Sequence, residues 1–119
     1  MDNTKVTSVN TNLMPWEMLP VEEIDAEIPL KTCIQDEDTG MAVWKLCYKA
    51  GFTNPHHKHD CAHGMYVLDG ILRTSAGDFG PGEFVWFPAG TEMFHGATPE
   101  NDVTCLFITN KAFNIEYMA

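Results

Sequence analysis

Positive charge is scarce in this chain. Seven Lys and Arg stand against seventeen Asp and Glu, a formal net charge of −10. Phosphate recognition needs clustered Lys and Arg, and no basic run occurs, which argues against a nucleic-acid partner. The acidity reads as a solvated surface. Long apolar runs are also missing. None approaches the ~20 residues of a membrane helix, and Met1 to Asn12 is polar, without a hydrophobic signal core. The expectation is a cytoplasmic protein with no membrane partner. Cysteine is sparse and scattered, at Cys33, Cys47, Cys61 and Cys105, with no C-x-x-C pair. In a reducing compartment these read as buried small hydrophobes. Cys61 lies inside a histidine-rich stretch, where metal ligation or oxidation are further readings. No long 3.6-period segment, internal repeat, phosphate loop or nucleophile–base pair is present.

What is present is a series of short strand patterns. The 119 residues suit one domain. Residues 1–12 read as a tail. Leu13-Met-Pro-Trp-Glu-Met-Leu-Pro20 carries two prolines and suits neither a helix nor a central strand. It reads as an extended segment anchored by Trp16. Residues 1–27 are therefore set apart from a barrel domain over 28–119. Strands are expected at Pro29–Ile34, Met41–Ala50, His63–Leu68, Ile71–Ser75, Glu83–Phe87, Glu92–Ala97 and Val103–Thr109, with a last one within Ala112–Tyr117. Asp36 to Gly40 is a turn. Asp69-Gly70 is a hairpin signal that pairs the strands on either side, and Gly77-Asp78 and Gly80-Pro-Gly82 punctuate a loop. Many short strands with frequent turns indicate an all-β sandwich or barrel. Trp44, Leu46 and Tyr48 share one face of their strand. Trp44, Phe84, Trp86 and Phe107 are expected to be largely buried.

Histidine is concentrated. Four of the five histidines, His56, His57, His59 and His63, fall within eight residues, and His95 is the fifth. Neutral imidazole is the commonest protein ligand for zinc, iron, nickel and copper. In a strand, His57 and His59 point the same way and can clasp one ion. His56 has the opposite parity and falls outside the site. By the same parity His63, Met65 and Val67 line one face. Phe84, Trp86, Met93 and Phe107 complete an apolar wall, read either as core or as pocket. Tyr48 is its nearest polar handle. The candidate substrate pocket is Met65, Trp86, Met93, Phe107 and Tyr48.

Gly51-x5-His57-x-His59-x3-His63-x6-Gly70 resembles the first motif of the cupin family, G-x5-H-x-H-x3/4-E-x6-G. Gly82-x5-Pro88-x-Gly90-x4-His95 resembles the second, G-x5-P-x-G-x2-H-x3-N. The resemblance implies a small jelly-roll β-barrel that holds one metal, with His57, His59 and His95 as ligands. Two departures stand out. The glutamate position is His63, which becomes either a fourth ligand or a hydrogen-bonding neighbour whose other ring nitrogen needs an acceptor, a backbone carbonyl or Asp60. His95 lies two residues late, with Met93 in the usual histidine's place. A shift of two preserves strand parity, so His95 faces inward either at the metal or at its rim. Neutral ligands favour Fe or Zn, with Ni, Mn or Cu as options, over Mg or Ca. Leu13-Met-Pro-Trp, Lys31, Asp38 and Gly40 resemble the branch with zinc-binding anti-sigma factor cupin domains and the acetylacetone-type or dihydroxyacetophenone-type dioxygenases. That implies a homodimeric, metal-dependent dioxygenase cleaving a C–C bond of a diketone-like or aryl ketone substrate. A non-enzymatic zinc- or ligand-binding module and a redox-neutral lyase or isomerase are the alternatives.

Overall fold

The computed structural model describes residues 5–118. The first four positions of the expected tail lie outside them. Residues 5–10 are exposed, but Thr11 is tied down: its carbonyl accepts a hydrogen bond of 2.6 Å from the buried Lys31 ammonium. That ammonium also sits 4.5 Å from the centre of the Trp16 ring, so the tryptophan anchors its segment by a cation–π contact.

Residues 17–21 form an edge strand, β1 (Glu17–Val21), paired antiparallel along its length with β2 (Ala26–Gln35). An edge is where Pro20 is tolerated, since its missing N–H costs no ladder bond. The Asp36–Gly40 turn leads into β3 (Ala42–Tyr48), where Leu46 and Tyr48 face the core. The chain continues through β4 (Thr53–Lys58), β5 (His63–Asp69), β6 (Leu72–Thr74), β7 (Gly77–Phe79), β8 (Phe84–Phe87), β9 (Met93–Ala97), β10 (Val103–Thr109) and β11 (Glu116–Tyr117). One sheet has the order β1-β2-β3-β10-β5-β8 and the other β11-β4-β9-β6-β7, all pairings being antiparallel. This is the all-β arrangement that the strand pattern and turn spacing indicated, and two antiparallel sheets are consistent with the jelly roll that the cupin resemblance implied. Among the described residues no helix is long and apolar enough to cross a membrane.

Three expectations are corrected. Asp69-Gly70 does not close a hairpin of paired strands. β5 pairs with β10 and β8, while β6 pairs with β7 and β9. The turn carries the chain from one sheet to the other. Gly70 is needed there twice over: its φ is +84°, and a Cβ would run into the Asp102 carbonyl. The Gly77-Asp78 loop is instead β7, the return arm of a tight hairpin with β6. Phe84 and Trp86 are not buried. They are 51% and 47% exposed, whereas their neighbours Val85 and Phe87 belong to the core. Register explains this: His63 faces Phe87 and Met65 faces Val85, so Phe84 and Trp86 fall outside, over Gly64. Trp44 is intermediate, half-covered by Phe107 and Phe113.

Candidate metal centre

The site is built on the paired strands β4 and β9 of one sheet and on β5 of the other. In β4, Thr53 and Asn54 pair with Gly96 and His95, but His57 pairs with Met93. One extra residue is accommodated between Asn54 and His57, at Pro55-His56. A proline without an N–H suits such a bulge. The bulge also leaves the Pro55 carbonyl 2.5 Å from His57 Nδ1. His56 faces outward against Phe94, as its parity required. The late position of His95 is absorbed in the loop before β9, and Met93 and His95 both point inward, each 1% exposed.

The ring nitrogens of His57, His59 and His95 come within 4.8 Å of one another. Ring centres are 4.8 Å apart for His57–His59 and 4.7 Å for His57–His95. His63 stands beside this group, 4.8 Å from His59 and 5.9 Å from His95 by ring centres. It lies between Phe107, stacked at 4.4 Å, and Phe87 at 5.1 Å. All four rings are almost wholly buried.

Hydrogen bonds decide which nitrogen each ring offers. A carbonyl can only accept, so His57 donates Nδ1–H to Pro55 and keeps a bare Nε2. His59 donates Nδ1–H to the Asn114 carbonyl in the same way. Its Nε2 has no protein partner, nor has either nitrogen of His63. Asp60, the acceptor considered for His63, instead bonds Asn114 through its backbone N–H and carboxylate. Buried polar atoms without partners are costly, and lone pairs converging on one point are what a metal ion satisfies. The donor set fits a borderline transition metal.

Burial also keeps the rings neutral, since a charged imidazole loses its hydration there. It pulls His57 down to about 4 and His63 to about 3, with neighbouring histidines adding to both. His59 is lowered by burial and His95 falls well below the ordinary value. Neutral imidazole is the form that binds metal. The Cys61 thiol is buried and pushed up by desolvation, hence protonated, and it is not part of the converging group.

A cavity of about 30 Å³ adjoins His59 and His95. Tyr48 and Phe107 line it, together with Leu19, Asn54, Phe113 and Ile115, which sequence reasoning did not single out. The other three proposed pocket residues are elsewhere. Met65 and Met93 are closed core, and Trp86 is on the outer face. Apart from Asn54 of β4, these missed walls come from β1 and from residues 113–115, which no motif brings next to the histidines. The Asn114 and Pro55 carbonyls were equally invisible, because backbone acceptors leave no mark in side-chain identity. Tyr48 Oη lies 2.9 Å from His95 Nδ1.

Known proteins agree with this architecture. No curated protein matches the sequence. An RmlC-like cupin protein from Ralstonia eutropha JMP134 is similar in structure, with a TM-score of 0.76 at 21% identity over 90% of this chain and 69% of that one. The polyketide cyclase RemF from Streptomyces resistomycificus gives 0.75 at 18% identity over 97% and 87% of the two chains. The complex of Rhodobacter sphaeroides SigE with the anti-sigma ChrR gives 0.67 at 19% identity, over 84% of this chain and 51% of that one. At such identities the likeness establishes the fold alone. The sequence itself matches the family described as the ChrR Cupin-like domain over residues 4–114, and the chain belongs to that family.

Proposed function

We propose that the chain holds one divalent transition-metal ion, iron or zinc first and nickel, manganese or copper next, between His57, His59 and His95, with His63 as a fourth ligand. The observation that carries this is the fixed tautomer of His57 and His59, whose Nδ1 protons are committed to carbonyls while Nε2 stays bare. Such an ion, when bound, supplies Lewis acidity undiminished by any carboxylate ligand. The chain's own residues orient the imidazoles, keep them neutral and surround them with phenyl rings that exclude water.

The favoured activity is that of a cytoplasmic, homodimeric enzyme acting on a small organic molecule, an O2-dependent C–C bond-cleaving dioxygenase of a diketone-like or aryl ketone compound. Supporting it, the apolar cavity adjoins two of the histidines, so a ligand within it lies against the metal site. At about 30 Å³ the cavity admits roughly one or two water molecules. Pockets that bury a ligand run to about 300–1,000 Å³, so a ketone enters only if the cavity widens. That same observation, with His63 completing a closed set of imidazoles, favours a second reading, a non-enzymatic metal- or ligand-binding module. Exposed Tyr66, Leu68, Phe84 and Trp86 give an uncharged face that supports the homodimer.

Metal analysis of untagged protein should find one ion per chain, lost in the His57→Ala/His59→Ala double variant. Stoichiometric metal in that variant would overturn the site. Oxygen uptake by the iron-loaded protein with a panel of β-diketones and hydroxylated aryl ketones separates the two readings: uptake supports the enzyme, and none moves the assignment to the binding module.

A further inference from the structure

His95 differs from its two partners in what holds it. Carbonyls, which only accept, fix the Nδ1 protons of His57 and His59. The partner of His95 Nδ1 is the Tyr48 hydroxyl at 2.9 Å, a group that can donate or accept. The second contact of His95 settles the direction in the metal-free chain. Its Nε2 lies 3.1 Å from His57 Nε2. His57 has its proton on Nδ1, so the proton in that contact belongs to His95 Nε2. His95 Nδ1 is then bare, and Tyr48 O–H donates to it.

An ion between the three rings needs the lone pair of His95 Nε2. We propose that metal occupancy reverses the Tyr48–His95 hydrogen bond: His95 takes its proton on Nδ1 and donates to Tyr48 Oη, and the Tyr48 O–H turns away as a free donor. Each ring and the phenol keep one proton throughout, so nothing is released. Tyr48 is 2% exposed and lines the cavity beside His59 and His95. The freed hydroxyl is then one of few polar groups on an apolar wall, suited to one oxygen acceptor such as a water or a carbonyl oxygen. Tyr48 is thus a positioning residue for His95 that also reports occupancy of the metal site to the cavity. This rests on the metal reading above.

The test is long-range proton–nitrogen NMR of 15N-histidine-labelled protein without and with Zn²⁺, beside Zn²⁺ affinity of Tyr48→Phe. His57 and His59 should carry Nδ1–H in both states. His95 should change from Nε2–H to Nδ1–H when zinc binds. Tyr48→Phe leaves that Nδ1–H buried without an acceptor and should weaken zinc by ~10–100-fold. Zinc bound with no change of tautomer at His95, or with unaltered affinity in a folded Tyr48→Phe, overturns this proposal and leaves the metal site standing. No zinc binding by the wild type overturns both. If Tyr48→Phe does not fold, the wild-type spectra alone decide.

Discussion

β4 and β8 turn the ordinary rule of polar outside and apolar inside around, in opposite senses. β4 sends His57 into the interior, followed by His59 just beyond its end, while β8 sends Phe84 and Trp86 towards solvent. β8 alternates with period two along its length, and β4 does so on either side of its bulge. The contrast shows that alternation says which residues share a face and not which face is the core. For β4 the interior face is tolerable because each ring has a carbonyl for its proton, and the His57 lone pair also meets His95 Nε2. For β8 the inner face is fixed by Phe87 stacking on His63 and by Val85 opposite Met65. The larger aromatic pair takes what remains.

Acid should break the β4 side first and most. Every inward histidine has a folded-state pKa below its ordinary value of 6.5, to about 4 for His57 and about 3 for His63. Above 6.5 both folded and unfolded chains hold these rings neutral, so stability is flat. As pH falls from 6.5 towards 3–4 the unfolded chain binds protons that the folded one refuses, and stability is lost across that window. Urea titrations of metal-free protein at pH 7.5 and 5 should therefore differ by several kcal/mol, roughly 1.4 kcal/mol per group per pH unit within the window. Equal midpoints at the two pH values would mean the rings are not buried as described.

The β8 side is sharpened by a pair of truncations. Phe87→Ala removes a buried ring and should cost about 3–5 kcal/mol in chemical denaturation. Trp86→Ala, two residues away and larger, should cost about 1 kcal/mol or less in the monomer, because its ring is half in solvent already. A reversed order would place Trp86 inside. The smallest effect is expected at Gly64, the outward residue under Phe84 and Trp86. A Cβ there meets the far edge of the Phe84 ring and Trp86 Cε3 at 3.1 Å. Both are half-exposed side chains that can shift, so Gly64→Ala should change stability by about 1 kcal/mol or less. A loss of several kcal/mol would show that the outer aromatic pair is rigidly held.

Much of this was legible beforehand. Spacing and parity placed most of the strands but not β1, β4 or β7, and Val103–Thr109 was read with the bounds the structure shows. The inward pointing of His57, His59 and His95 follows from counting residues. The sheet assignment of β6 was not legible, because Asp69-Gly70 is equally good chemistry for a hairpin turn and for a crossing between sheets. What separates the two is Asp102 packed against the glycine, 32 positions along the chain. Trp86 and Met65 were placed in a pocket by parity relative to neighbours whose own direction was unknown.

The sequence by itself determined the all-β class, the cluster of imidazoles and the neutral donor set, because residue type and local spacing settle these. Tertiary structure alone decided which nitrogen of each ring is free, where the cavity lies and who lines it. Those depend on the carbonyls of Pro55 and Asn114, on a hydroxyl from β3 and on side chains from both ends of the chain. Such groups reach the histidines only when two sheets close on each other, and a backbone carbonyl has the same identity at every position until the fold aims it.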